Sequence, residues 1–140
     1  FWTERIGPTA ALETLEIMRE TQSWDYVTSL GKYLKQAWLD IAKNYNLDIT
    51  INGIYPLISF TFNSENHQKY KTFITQEMLK NGYLASNSCY LSTAHNKQII
   101  DNYSYILDNI FKEISLCEDG KDINKLLESD ISHSTFQRLN

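Results

Sequence analysis

The sequence predicts an α+β fold: a small antiparallel sheet of three or four strands covered by helices and preceded by a long helical N-terminal segment. Apolar residues recur every three or four positions in several long stretches, which indicates amphipathic helices, and alternate with polar residues in shorter ones, which indicates strands. These strands are too short and too alternating for a doubly wound parallel sheet. With 140 residues, 42% of them hydrophobic, the chain suits one domain, residues 1–140.

Two helices are predicted at the start of the chain. Pro8 suits the first turn of a helix over residues 8–21. The apolar stripe of this helix is Leu12, Leu15 and Met18. Ser23 can cap a second helix that runs to about residue 45. Its apolar residues, spaced by three or four, are Val27, Leu30, Leu34, Trp38, Ile41 and Tyr45.

The spacing of apolar residues changes to two after the second helix. Residues 49–51 and 58–62 alternate, and Gly53 to Pro56 predict a turn between them, so we expect an antiparallel hairpin. Phe60 is then expected to face the core and to pack against the helix over residues 97–116 or its neighbour. Thr61 is expected on the opposite face of the strand.

A third helix is predicted after the hairpin, with Ser64 as its N-cap and Gly82 as the left-handed residue at its C-terminal end. Its apolar stripe is Tyr70, Phe73, Ile74 and Met78. Two short β-type runs follow, residues 83–84 and residues 89–92, separated by a polar loop.

A long fourth helix is predicted from the N-cap Asn96 to a point just before Asp119. One side of it carries Ile99, Tyr103, Ile106, Ile110 and Ile114. Asp122 can cap a last short helix through residue 127. The tail from residue 129 to residue 140 is too polar to join the core.

The charge balance argues against two classes of partner. Thirteen Lys and Arg against 17 Asp and Glu give a formal charge of -4, and this field repels nucleic-acid phosphates and anionic lipids. No stretch approaches the roughly 18 consecutive apolar residues of a membrane-spanning helix. The first residues also lack the cationic start and apolar centre of a signal peptide. We therefore expect a cytoplasmic protein with no nucleic-acid and no membrane partner.

The histidines and cysteines favour no metal or disulfide site. His67, His95 and His133 contain no pair at a spacing of four residues and no accompanying carboxylate pattern, so solvated or locally bonded imidazoles are the preferred interpretation. Cys89 and Cys117 form no CxxC motif. Two such isolated cysteines are typically reduced thiols that are buried in the fold.

A hydrolase is an alternative that the sequence supports poorly. Ser88 or Cys89 would serve as nucleophile with His95 as base, and Ser86 lies nearby. The GxSxG elbow and an orienting acid are both missing from this region. A buried strand cysteine is therefore the preferred interpretation of Cys89.

The residues before the first helix are a candidate anion site. Thr3, Arg5 and Thr9 surround a helix start, where free backbone amides favour negative charge. Plain helix capping by the same residues is the competing interpretation, since no glycine-rich loop accompanies them.

Four sequence blocks carry a family resemblance. They are FWTERIGPTAAL at residues 1–12, YPLISFTF at residues 55–62, YLAS with STAH at residues 83–86 and 92–95, and HSTFQRL at residues 133–139. In this order and spacing they resemble the C-terminal part of class III pyridoxal-phosphate-dependent aminotransferases. The branch they resemble most is that of glutamate-1-semialdehyde 2,1-aminomutase.

The resemblance implies a role within a larger enzyme. The chain would be the C-terminal small domain of a homodimer, beside a larger cofactor domain, and the enzyme would move an amino group between a small amine and a carbonyl compound. Thr3 matches the threonine that reaches the pyridoxal 5'-phosphate of the neighbouring subunit. The Schiff-base lysine and the residues that hold the coenzyme ring would lie upstream, so residues 1–140 hold no catalytic residue and are expected to be inactive alone. The start at Phe1 rather than Met also predicts a piece of a longer protein.

The sequence leaves several alternatives open. The loop before Ser92 looks shorter than in the aminomutase and lacks its acidic residue, so neither the substrate nor the choice between intermolecular transfer and an internal 2,1 shift is fixed. The roles of Arg5, His95 and the tail over residues 133–139 are also open. A free-standing α+β module that binds a small ligand or a partner without catalysis is the alternative function.

Overall fold

The computed structural model describes residues 3–133, and within them helices and strands alternate as an α+β fold. The helices are α1 (Ile6–Thr21), α2 (Ser23–Asn44), α3 (His67–Lys80) and α4 (Lys97–Glu118). The strands are β1 (Ile49–Ile54), β2 (Leu57–Phe62) and β3 (Ser88–Tyr90), and a single 3-10 turn, Ile123–Lys125, follows α4. The predicted fold class is confirmed, with three strands in the described part.

The sheet is antiparallel with β2 at its centre. β1 pairs with β2 so that Ile51 lies opposite Phe60, and β3 pairs with β2 so that Cys89 lies opposite Ile58. The order β1-β2-β3 leaves β3 as an edge strand. The side chains of β2 that alternate towards the helices are buried, as the period of two predicts.

The run at residues 83–84 is not a strand, and that prediction was wrong. Gly82 is left-handed at φ +82°, as predicted, and its N–H donates to the carbonyl of Leu79. The N–H of Tyr83 donates to the carbonyl of Met78 at 2.9 Å. These two bonds form a Schellman motif, so the backbone of Tyr83 closes α3 and is not free to pair in a sheet.

Aromatic side chains form the centre of the core between the sheet and the helices. The ring of Phe60 lies 4.8 Å from Trp38 on α2 and 5.5 Å from Phe111 on α4, measured between centroids. This confirms the predicted side of Phe60, while Thr61 is only half-buried. On α4 the buried stripe is rotated from the predicted one, because Ile100 and not Ile99 faces the core. The other buried members of α4 are Tyr103, Leu107, Ile110, Phe111, Ile114 and Cys117.

Two of the three predicted helix N-caps differ from the structure, and the third is confirmed. Asn66 and not Ser64 precedes α3, and the Ser64 hydroxyl instead accepts the N–H of Asn66 at 3.1 Å. Ser23 lies inside α2, whose N-cap is the left-handed residue Gln22. The predicted cap Asn96 is confirmed, since its side chain accepts the N–H of Ile99 at 3.0 Å.

The end of the described chain partly matches its prediction. Asp122 caps as predicted, by accepting the N–H of Asn124, but the element it caps is a 3-10 turn of three residues. The predicted block at residues 133–139 is not compared with the structure, because all of it except His133 lies outside the described residues.

Helix α1 lies against α2 and contributes nothing to the core. None of its residues is buried, and Leu12 and Leu15 are 70% and 62% exposed. Ile6, Ile17 and Met18 are exposed as well. The predicted helix therefore forms, but its apolar stripe has no partner in the described part of the chain.

Candidate functional site

The segment before α1 presents hydrogen-bond donors to solvent. Thr3 lies in a turn and is exposed, and Arg5 is the N-cap residue of α1. No described side chain caps the helix, and its first turn contains no carboxylate. The acid nearest in sequence, Glu4, precedes the helix.

Among the described residues, the backbone at this helix start has amides without a hydrogen-bond acceptor. The N–H of Thr9 already donates to the carbonyl of Arg5 at 3.0 Å, and Pro8 has no N–H. The amides of Ile6 and Gly7 precede the first intrahelical bond. With the hydroxyl of Thr3 and the guanidinium of Arg5, these groups suit a phosphate, because helix-start amides and cations both favour anions.

A second candidate site is a groove of about 550 Å³ at the free edge of β3. Its walls come from α3, from the loop between α3 and β3, and from the start of α4. Leu79 and Leu84 form an apolar rim, and Ile100 and Tyr103 lie deeper. Burial raises the pKa of the Tyr103 phenol, so this side chain stays neutral. The sequence does not predict this groove, because the residues that line it are far from one another in the chain.

His95 is held at the mouth of this groove by two neighbours. Its Nδ1 accepts the N–H of Ser92 at 3.1 Å and lies 3.0 Å from the Ser92 hydroxyl, which itself accepts the N–H of Ala94. The Tyr26 hydroxyl on α2 donates to the carbonyl of His95 at 2.8 Å. The orientation of the imidazole is therefore fixed before any ligand arrives.

The hydrolase alternative gains no support from this geometry. His95 Nδ1 is bonded to Ser92, not to Cys89 or Ser88. Burial raises the pKa of the Cys89 thiol, which keeps it in its weakly nucleophilic protonated form. Thr75 donates to the hydroxyl of Ser86 at 2.9 Å, a contact between α3 and the loop rather than an activated nucleophile.

The remaining histidines lie apart from both sites. His67 Nδ1 lies 3.2 Å from the carbonyl of Ser64 at the start of α3, and His133 is exposed. Among residues 3–133 no three His, Cys, Asp or Glu side chains are grouped as metal ligands. No helix in that same range is long and apolar enough to cross a bilayer.

The face of the sheet opposite the core carries one exposed apolar row. The register places Ile54, Leu57 and Tyr90 opposite one another on the three strands, and they are 69%, 42% and 73% exposed. Cross-strand neighbours of this kind form a continuous patch. Together with α1, the molecule therefore has two apolar surfaces that none of the described residues covers.

Comparison with known proteins identifies what this chain is similar to. No family model matches it. A glutamate-1-semialdehyde 2,1-aminomutase of Staphylococcus epidermidis is 28% identical over 123 residues, in each of two strains. The match covers 78% of this chain and 29% of the aminomutase. The predicted resemblance is confirmed.

The fold also has a solved counterpart. The structure of the FumI protein of Sphingopyxis, described as its PLP internal aldimine form, matches 91% of this chain with a TM-score of 0.72 and 20% identity. The match covers 31% of the FumI chain. The chain therefore spans less than a third of the length of either the aminomutase or FumI. Thr3 is placed by the structure but not tested as a site by either comparison.

Proposed function

We propose that this chain is the C-terminal small domain of a pyridoxal-phosphate-dependent enzyme that moves an amino group between a small amine and a carbonyl compound. The observation that carries the proposal is that similarity to the aminomutase in sequence and to FumI in fold each extends over most of the chain. Bound pyridoxal phosphate supplies an electron sink for the amino-group chemistry. The residues of this chain supply positioning and enclosure.

The phosphate-binding part of the proposal rests on the segment before α1. Thr3 offers an exposed neutral hydroxyl, and the amides of Ile6 and Gly7 point from a helix start that no described side chain caps. A phosphate here accepts charge-assisted hydrogen bonds and lies at the positive end of the helix dipole. We propose Thr3 as the donor to the coenzyme phosphate of the neighbouring subunit.

The assembly part of the proposal rests on the uncovered apolar surfaces. A soluble domain rarely leaves a helix such as α1 without any buried side chain, and exposed apolar patches of this kind mark interfaces. The row of Ile54, Leu57 and Tyr90 adds a second such patch. We propose that they contact the partner subunit and the larger cofactor domain, and that the groove beside β3 forms part of the wall of the active-site entrance.

The first prediction concerns the chain on its own. Incubation with pyridoxal phosphate followed by borohydride should label no lysine stoichiometrically, because no lysine here has a family-like Schiff-base context. The ten lysines are Lys32, Lys35, Lys43, Lys69, Lys71, Lys80, Lys97, Lys112, Lys121 and Lys125. Mass spectrometry of the intact chain measures the adduct. One fully labelled lysine, or transamination by the chain alone, would contradict the proposed division of labour.

The second prediction concerns Thr3 in the full-length parent. Thr3→Ala removes one charge-assisted hydrogen bond, worth about 1.5–3 kcal/mol. Coenzyme affinity should then fall by roughly ten- to a hundredfold. Coenzyme titration of the apo-enzyme measures the change.

Two further variants are matched controls for the Thr3 experiment. Thr3→Ser keeps the hydroxyl and should lose far less affinity, whereas Thr3→Val keeps the shape and should behave like the alanine variant. If Thr3 only spaces or caps α1, the variants lower the melting temperature of the apo-protein and leave coenzyme affinity unchanged. An alanine variant that binds coenzyme as tightly as wild type removes Thr3 from the site.

A free-standing binding module is the second candidate function, favoured by the groove at β3. The reading frame that precedes Phe1 in the gene distinguishes the two candidates. A continuous frame that encodes a lysine-bearing cofactor domain supports the enzyme, and a start codon immediately before Phe1 supports the module.

A further inference from the structure

The C-terminal end of β2 directs one residue's backbone groups away from β1. The N–H of Asn63 donates to the carbonyl of Asp48 at 2.9 Å, so these two residues form a hydrogen-bonded pair of the β1–β2 ladder. Hydrogen-bonded and non-bonded pairs alternate along an antiparallel ladder. The neighbouring pair, Phe62 with Ile49, is therefore non-bonded, and the N–H and C=O of Phe62 point to the side of the sheet where β3 lies.

The chain beside β2 leaves the sheet before it reaches Phe62. The N–H of Phe60 donates to the carbonyl of Asn87 at 2.9 Å, and the side chain of Asn87 donates to the carbonyl of Phe60. In this register Ala85 would lie opposite Phe62, but no residue in the described part of the chain bonds to the Phe62 backbone on that side. Phe62 is only 5% exposed. Unpaired backbone groups at this depth are costly, so this edge needs a partner.

A cleft of about 270 Å³, called here the β2 cleft, opens beside this unpaired edge. Its wall on α3 consists of His67, Gln68, Lys71 and Ile74, and no Asp or Glu from residues 3–133 lines it. The volume is smaller than the roughly 300–1,000 Å³ of typical small-molecule sites. An unpaired strand edge next to a pocket of this size suits an added extended peptide, whose backbone pairs with the edge while a side chain fills the pocket.

The last described residues lead to the β2 cleft. They run along α3 from its C-terminal half towards its start, since the side chain of Gln76 accepts the N–H of Glu128 at 2.8 Å and that of Gln68 donates to the carbonyl of Ser132 at 2.6 Å. Gln68 also lines the cleft, so the cleft begins one side chain away from Ser132. An extended chain advances about 3.3 Å per residue, which brings residues 134–137 within reach.

The composition of residues 134–137 matches an added strand. The sequence there is Ser-Thr-Phe-Gln, which has no charge and includes Thr135 and Phe136, residue types that favour strands. Arg138 comes next, and the cationic Lys71 in the wall of the β2 cleft would repel it. The uncharged part of the segment is therefore the part that suits the cleft.

We propose that residues 134–137 pair in an extended conformation with the backbone of Phe62 and that the side chain of Phe136 occupies the β2 cleft. The segment then adds a short fourth strand at the end of β2 that β3 leaves open. This gives the sequence block at residues 133–139 a structural role. The proposal does not rest on pyridoxal phosphate, because all the groups it uses belong to this chain.

Amide hydrogen exchange of the full chain, followed by NMR, tests the pairing. We expect the Phe62 amide to exchange slowly in the wild type. Phe136→Ser should accelerate that exchange about tenfold or more, because the variant opens two backbone hydrogen bonds. The Phe60 amide is bonded within the described sheet and should keep its rate, which shows that the variant is still folded. Leu139→Ser is the matched control outside the proposed strand and should leave both rates unchanged.

Two tryptophan variants of α3 test the cleft from its other wall. Lys71→Trp places an indole in the β2 cleft, whereas Lys69→Trp places one on the same helix outside the cleft lining. Lys71→Trp should accelerate Phe62 exchange as Phe136→Ser does, and Lys69→Trp should not. In the wild type we also expect NOEs between the ring of Phe136 and the side chain of Ile74, and Lys71→Trp should abolish them.

Three results would overturn the proposal. Fast exchange of the Phe62 amide in the wild type would show that the edge of β2 stays unpaired. Slow exchange that persists in Phe136→Ser would assign the protection to burial or to an enclosed water. Protection that disappears on dilution, together with a dimer in sedimentation, would assign the cleft to a second copy of the chain.

Discussion

Replacing Phe60 by Ala is expected to lower the free energy of unfolding by about 3–5 kcal/mol, the range for truncating a fully buried aromatic side chain. Phe60 has no exposed surface, and its ring lies between Trp38 on α2 and Phe111 on α4, with Phe62 at 5.8 Å along the same strand. The cavity would open at the point where the sheet meets two helices, so the neighbours have little freedom to fill it. Urea unfolding followed by circular dichroism measures the change.

Thr61 is the matched control for this experiment because it is the next residue of β2 and belongs to the other face. It is half-buried, and we expect Thr61→Ala to change stability by about 1 kcal/mol or less. Equal losses at the two positions would mean that the core does not lie on the Phe60 side of the sheet.

Replacing Gly31 by Ala is expected to destabilise the protein by about 2–3 kcal/mol, although alanine is the better helix former. Gly31 lies inside α2, where the turn between β1 and β2 packs against the helix. A Cβ at this position would overlap the carbonyl oxygen of Tyr55, and a backbone carbonyl cannot rotate away as a side chain does. The helix and the turn must separate to make room.

Gly7 provides the control for the helix-propensity effect. It is a glycine in α1, and no atom of the described residues lies within 4 Å of its Cβ position. Gly7→Ala should leave stability unchanged or raise it by less than about 1 kcal/mol. Thermal melts of the two variants beside wild type give the comparison, and a neutral Gly31→Ala would contradict the close approach of Tyr55.

The periodicity of the sequence predicts most of the fold because burial is periodic in both helices and strands. It is informative for α2 and for β2, where apolar residues point towards one shared core. Periodicity does not predict burial where an apolar stripe faces away from this core. The stripe of Leu12 and Leu15 in α1 looks like core in sequence, yet both side chains are exposed.

The candidate sites were predictable to different extents. Thr3 is proposed through a local resemblance, and local sequence suffices for that proposal because the phosphate site would be built from the amides of one helix start. The groove was not identified, because it depends on contacts such as the hydrogen bond from Tyr26 to His95 between residues far apart in the chain. Spacing alone cannot distinguish a histidine that is held in place from one that is solvated.

The exposure of α1 bears on how ordered that helix is. With no buried side chain, α1 can unwind without opening the core, so its free energy of local opening is set by its own 16 residues and by its contact with α2. Isolated helices of about this length are only marginally stable in water. When α1 binds to another surface, the contacts must therefore offset the conformational entropy that the helix loses on becoming ordered, and this cost weakens the association. The Thr3 segment directly precedes α1, so its order depends on the same association.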